Sequence, residues 1–202
     1  MAAFLAARHV SANAISVAGM AIGILGGLFL GGTRLAAAPW LHRVLWFAAA
    51  VAIQLRLVAN MLDGMVAIAS QRASPLGELY NELPDRVSDA AIIIGAGYAT
   101  GGVPTLGYVA TCIAFATAYI RAVGKATGAS NLFAGPMAKP HRMFALTLAA
   151  LAMVILPENW HVSWGVLEFS PISTALWLIV LGGAITIFRR LQRIVRHLEM
   201  WT

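Results

Sequence analysis

Six apolar runs, at roughly 12–31, 43–69, 79–99, 104–123, 141–157 and 171–189, alternate with short polar or basic connections. A hydrocarbon core of about 30 Å takes about 20 helical residues, so each run is long enough, or nearly so, to cross it as an α-helix. The third run differs in character. Its first half, E78-L-Y-N-E-L-P-D-R-V-S-D89, carries acids, an amide and a proline, whereas its second half, A90-A-I-I-I-G-A-G-Y98, reads as ordinary membrane helix. Ionised groups are costly against lipid, so the first half is expected to face protein, water or ions. Pro84 removes a backbone donor there and predicts a kink. Gly and Ala recur in the runs, and small residues let membrane helices approach closely. The pattern predicts an all-α integral membrane protein, a bundle of six transmembrane helices forming one domain over 1–202, with no cleaved signal peptide. The end of the chain, 188–202, mixes basic and apolar residues at helical spacing and reads as an interfacial amphipathic helix.

Composition agrees with that reading. Of 202 residues, 60% are hydrophobic and only 11% charged, well below the quarter or so usual in soluble domains. A net charge of +6 invites thought of nucleic acid, but no basic face with interleaved aromatics appears, and anionic headgroups are the simpler partner. With six spans, one side holds Arg8, Arg72, Arg121, Lys125, Lys139, Arg142, Arg189, Arg190, Arg193 and Arg196, the other only Arg34 and Arg43. The positive-inside rule then puts both termini and the 70–78 and 124–140 connections in the cytoplasm, as in a multi-pass protein of a bacterial inner membrane. Trp40, Trp46, Trp160, Trp164, Trp177 and Trp201 fall near the ends of runs and read as an aromatic belt. The single cysteine, Cys112, reads as a small packing residue.

Against this background the acids are unevenly placed. Asp63, Glu78, Glu82, Asp85 and Asp89, five of the eight, fall within 27 positions, near the expected cytoplasmic ends of the second and third helices. Residues three and four apart share a helix face, so Asn60, Asp63, Gly64 and Ala67 form one stripe, and Asn81, Asp85, Ser88 and Asp89 another, with Gly77 just before it. Facing each other, the stripes bring together oxygen donors suited to hard cations such as Mg²⁺, Mn²⁺ or Ca²⁺. One carboxylate could remain free to act as a base. The competing reading is that these groups hydrogen-bond one another and lock two helices together, with Arg56 and Arg86 neutralising part of the charge.

The spacing resembles the signature of the CDP-alcohol phosphotransferases, D-x-x-D-G-x-x-A-R, eight residues, G-x-x-x-D-x-x-x-D. Here it reads N60-x-x-D63-G64-x-x-A67-I68, eight residues, G77-x-x-x-N81-x-x-x-D85. Every spacing is kept, with five of eight identities: Asp63, Gly64, Ala67, Gly77 and Asp85. V10-S-A-N-A-I-S16 is similar to the family's Asn-containing approach to its first helix. The resemblance implies an enzyme of phospholipid synthesis that moves a phosphatidyl or phospho-alcohol group from a CDP-alcohol, for the family at large more often CDP-diacylglycerol, onto an alcohol acceptor and releases CMP. It further implies divalent metal, Mg²⁺ or Mn²⁺, held at Asp63, Asn60, Asn81, Asp85 and Asp89, and a nucleotide lying against Asn13, Asn60, Asp63, Gly64, Ala67 and Gly77. Asp85 would be the general base, and a homodimer is implied as well.

Three positions depart from the pattern: Asn60 and Asn81 stand where the family has Asp, and Ile68 where it has Arg. Two lost carboxylates make a two-metal arrangement doubtful and favour a single ion, with Glu78, Glu82 or Asp89 as compensating acids. In the basic connection after the fourth helix, Arg121, Lys139 and Arg142 are candidates to hold phosphate, although positive-inside residues need no ligand. Two rival functions stay open: a catalytically silent relative that binds lipid or nucleotide, and a small ion-coupled transporter whose polar stripe lines an ion path.

Overall fold

A computed structural model describes residues 11–69, 75–129, 135–157, 160–164 and 167–199. Six long helices carry the fold: α1 (Ala12–Gly32), α2 (Pro39–Ala69), α3 (Pro75–Tyr98), α4 (Pro104–Ala126), α5 (Lys139–Ile155) and α6 (Pro171–Glu199). Each begins or ends where the sequence supplies a signal. Ser11 caps α1 by accepting from the Ala14 N–H at 3.2 Å, and prolines open α2, α3, α4 and α6, where a missing N–H costs nothing. A short 3₁₀ turn, Thr33–Leu35, follows α1. Between α5 and α6 a small antiparallel hairpin pairs β1 (Val162–Trp164) with β2 (Leu167–Phe169) in the register Val162 to Phe169. The helix periods were read correctly; this hairpin was not foreseen, because three-residue strands carry too little alternation to register.

Among the described residues, four helices, spanning Ala12–Leu35, Pro39–Ile68, Pro104–Ala126 and Pro171–Glu199, are long and apolar enough to cross a membrane. The chain is a multi-pass membrane protein. α3 carries the acidic half already noted and α5 is only 17 residues long. Leu28, Phe47, Met61, Ile68, Phe144, Ile155 and Phe188 point outward, while Leu30, Ile53, Ile92, Ile93, Met143, Leu146, Leu176 and Ile179 are fully enclosed. α3 runs through Pro84, which supplies no N–H to the Tyr80 carbonyl.

α1 lies between α2 and α3 and packs along both, so that α2 and α3 touch only sparsely. α5 covers the other side of α2, and α6 packs on α4 and α5. Glycine permits the closest of these approaches: a Cβ at Gly27 would overlap the Ala91 carbonyl oxygen, and one at Gly95 the Gly27 carbonyl oxygen. Two expectations are corrected here. Trp46 is fully buried and donates its indole N–H to His42 Nε2 at 3.3 Å, so it belongs to the core and not to an interfacial belt. Cys112 is exposed on α4, on the outward face, and packs no interior. The 188–199 stretch is the last turns of α6, with Arg190 and Ile194 turned into the bundle; residues 200–202 lie outside those described.

A larger side chain at Gly27 must separate α1 from α3. Gly27→Val is expected to cost about 1–3 kcal/mol as overpacking, seen as a lower Tm in mild detergent. Gly64→Ala, whose added Cβ meets no atom within 4 Å, should leave Tm unchanged; equal Tm for both variants would show that α1 and α3 do not approach this closely.

Candidate active site

One end of the bundle gathers nearly all the buried charge. α2 contributes Arg56, Asn60 and Asp63 from its C-terminal half, and α3 contributes Glu82, Asp85, Arg86 and Asp89 from its N-terminal two-thirds. The alternation of chain direction brings the last turns of α4, the first turn of α5 and the C-terminal half of α6 to the same end. A cavity of about 350 Å³ opens there, lined by Asn60, Glu82, Asp85, Arg86, Arg121, Lys139, Arg142 and Arg190, with Leu57, Thr117, Ala118, Ala138 and Pro140 between them. Its wall is strongly cationic, a setting for a ligand of concentrated negative charge.

Asp85 is the most heavily engaged acid. The fully buried Arg56 guanidinium pairs with its Oδ1, and Lys139 Nζ lies 2.7 Å from the same atom. With the amide oriented to satisfy its neighbours, Asn60 donates its NH₂ to Asp85 at 2.7 and 3.2 Å. Arg86 stands 3.9 Å from Oδ2. Arg56 also donates through Nε to Ser88 Oγ at 2.8 Å, which ties α2 to α3. One turn on, Asp89 Oδ2 accepts from Arg142 Nη2 at 3.1 Å, and its Oδ1 lies 3.7 Å from Lys139 Nζ. Lys139 thus bridges the two carboxylates. Its ammonium, largely buried, is held between them at the first residue of α5.

Asp63 stands apart from this pair. Its Oδ2 accepts from Ser16 Oγ of α1 at 2.7 Å, and its Oδ1 is buried without a hydrogen-bond partner. Further out, Glu82 pairs with Arg86 at 3.1 Å and with Arg121. Arg142 also donates to the Met137 carbonyl at 3.2 Å and to Thr117 Oγ1 at 3.3 Å, and Arg190 donates to the Thr117 carbonyl at 2.6 Å.

The polar stripes read from the sequence do meet, at Asn60 and Asp85. Arg121, Lys139 and Arg142 line the same cavity. Gly64 is exposed with open space before it, and Ala67 and Asn13 are half-buried on α2 and on the first turn of α1. Gly77, Glu78 and Asn81 lie on α3, but their side chains are outside the described set. His141 is exposed. Sequence reasoning missed Ser16, Thr117 and Arg190. For Arg190 a signal was present: it continues the stripe Ile179, Gly183, Thr186, Ile194 that α6 turns inward. Ser16 ends the 10–16 stretch and lies one turn beyond Asn13, the residue singled out there.

Among the described residues, no three His, Cys, Asp or Glu side chains stand together to hold a metal. The donors nevertheless divide. Asp63 Oδ1 and Asp89 Oδ1 are both buried without a hydrogen bond, but Asp89 Oδ1 faces Lys139 at 3.7 Å, so Asp63 is the acid that suits one hard cation. Asp85 does not suit a second, because Arg56, Lys139 and Asn60 already occupy its oxygens.

The bundle and its charged cavity accompany a spacing that resembles the CDP-alcohol phosphotransferase signature, and the fold is one already solved in that family. The fold is shared with a member of that family, Mycobacterium tuberculosis phosphatidylinositol phosphate synthase (PgsA1). In its form with CDP-DAG bound the TM-score is 0.72 at 20% identity, covering 96% of this chain and 90% of that one. In its complex with manganese and citrate the TM-score is 0.71 at 20% identity, over 96% and 86%. By sequence, the chain is 29% identical over 172 residues to inner membrane protein YnbA of Escherichia coli (strain K12), covering 84% of this chain and 82% of that protein. It is 27% identical over 154 residues to phosphatidylinositol phosphate synthase of Mycobacteroides abscessus, covering 73% and 65%. No family model matches the chain.

Removing one partner of a buried ion pair strands the other. Arg142→Met is expected to destabilise the protein by about 3–5 kcal/mol, and adding Asp89→Asn should restore most of that. Thermal unfolding of both variants in detergent checks this, and a double variant no more stable than the single one would deny the coupling.

Proposed function

We propose that this protein is a membrane transferase that moves a phosphatidyl or phospho-alcohol group from a CDP-alcohol, CDP-diacylglycerol in the preferred reading, to an alcohol acceptor and releases CMP, as a step of phospholipid synthesis. The observation that carries this reading is the placement of Asp85 and Asn60 on the wall of a cavity whose other charged side chains are mostly Arg and Lys. A pyrophosphate-bearing donor and a hydroxyl acceptor need such a wall.

In the proposed reaction the acceptor oxygen attacks the phosphorus that carries the alcohol group, the bond from that phosphorus to the CMP oxygen breaks, and the acceptor proton passes to Asp85. Asp63 would hold Mg²⁺ or Mn²⁺, with Asn60, Asn81 and Asp89 as the further candidates. The ion, when bound, would neutralise charge on the pyrophosphate. The open space at Gly64, with Asn13, Ala67 and Gly77, is assigned to the nucleotide, since a larger side chain at Gly64 would fill that space. Arg121, Lys139 and Arg142 are assigned to phosphate, and Arg190 joins them. For this reaction Glu82 must give up Arg121 when a phosphate arrives.

The proposal extends to topology. All six helices cross a bacterial inner membrane as one domain, both termini are cytoplasmic, and the cavity opens to the cytoplasm, where nucleotide-linked donors are available. Two copies would associate as a homodimer. A second reading has one observation in its favour: Asp85 is fully paired, as it would be in a silent relative that binds lipid or nucleotide without turnover.

The experiment is CMP release by purified protein from CDP-diacylglycerol with Mg²⁺ or Mn²⁺ against a panel of alcohol acceptors. Acceptor-dependent CMP is expected, with a loss of about 10²–10⁴-fold in Asp85→Asn, the range of a general base. Gly64→Leu should raise KM for the donor without changing Tm. Folded protein that releases no CMP with any acceptor establishes the silent relative instead.

A further inference from the structure

The buried acids of the site already have partners of opposite charge within the chain. Asp85 faces Arg56, Asp89 faces Arg142, and Lys139 bridges both carboxylates at 2.7 and 3.7 Å. The Asp85 and Asp89 carboxylates stand against Arg56, Arg142 and Lys139, so that pair has no negative charge left over for a divalent ion, whereas Asp63, hydrogen-bonded to Ser16, stands outside that balance. Asn60 and Asn81 occupy two positions where the signature has Asp, and each substitution removes one negative charge. The Asn60 amide is spent on Asp85, the same carboxylate that holds Lys139.

We propose that the Lys139 ammonium is a tethered cation that stands in for one divalent ion, so that the site takes a single exchangeable metal at Asp63. A buried carboxylate pair one helical turn apart needs a positive charge between its members. A free metal supplies two charges and demands more anionic ligands than remain; a lysine supplies one and arrives with the fold. The loss of two acids and the insertion of one ammonium are then a single adjustment of charge. The geometry assigns Lys139 a role that a phosphate-binding lysine would not have, because it acts on the acids before any substrate is present. This inference deepens the transferase reading and rests on it for the substrate.

The test counts metal and does not depend on turnover. Full-length protein in detergent, without substrate, is titrated with Mn²⁺, and bound ion is followed by loss of the free-ion EPR signal. One Mn²⁺ per chain is expected. Lys139→Met should tighten Mn²⁺ binding about tenfold or more, since a competing charge is removed from a partly buried site, and Lys139→Arg should bind as the wild type does. Lys139→Met combined with Asn60→Asp and Asn81→Asp should bind two ions and show an exchange-coupled signal. Two ions in the wild type, none in the wild type, or an unchanged affinity in Lys139→Met each overturn the proposal. The wild-type count stands even if the combined variant fails to fold. A single bound ion without CMP release refutes the transferase and leaves the tethered cation in place; CMP release with two bound ions does the reverse.

Discussion

A guanidinium in the interior of a helical bundle dictates what surrounds it. Arg56 is 1% exposed, and burying its charge is tolerable only with a carboxylate and further hydrogen bonds close by. Asp85 and Ser88 supply these from α3, although α1 lies between α2 and α3 over most of their length. The side chain reaches them by passing α1 at Gly19 and Gly23: a Cβ at Gly19 would come within 3.2 Å of Nη1, and one at Gly23 within 3.4 Å of Cδ. Small residues on α1, the long arginine on α2 and the acid on α3 are therefore one requirement spread over three helices. Once it is met, Asp85 has a fixed position, and Asn60 and Lys139 gather about it.

Much of this was legible in the chain, and the reason is periodicity. Apolar runs of membrane length locate the helices, and the three- and four-residue spacing of Asn60, Asp63, Asp85 and Asp89 puts them on faces that can meet. What the spacing does not contain is the partner of each acid. Asp63 turns to Ser16, the last residue of the 10–16 stretch, where only Asn13 drew notice, and Asp85 to Lys139, 54 positions away in numbering. Arg56 and Arg86 could be named as neutralising charges, but which of them is buried depends on packing. Trp46 shows the same limit: position near the end of a run suggests an interface, yet the indole fills the core because His42 accepts its N–H.

The polar end also distinguishes this chain from a purely packed bundle. Hydrogen bonds that only lock helices together would leave no room between them, whereas Asn60 and Asp85 border a cavity as well as each other. The cations divide into two levels. Arg56 and Arg142 are enclosed at the base with the acids, and Arg121, half-exposed and paired to Glu82, stands nearer the opening. Inner charges keep the scaffold neutral, and outer ones are free to exchange one anionic partner for another at modest cost, because solvent screens them.

At the far end the helices are fastened differently. Thr33 Oγ1, at the end of α1, accepts the Thr100 N–H at 3.0 Å, and Ser170, at the start of α6, donates its hydroxyl to the Gly101 carbonyl at 2.7 Å. Gly101 holds a positive φ of 73° to make that turn, and a Cβ there would meet Ser170. Four helices are thus stapled through one short turn, by neutral bonds that neither salt nor acid loosens. The two ends therefore answer differently to acid: protonating the carboxylates loosens the charged end, while this turn keeps its bonds.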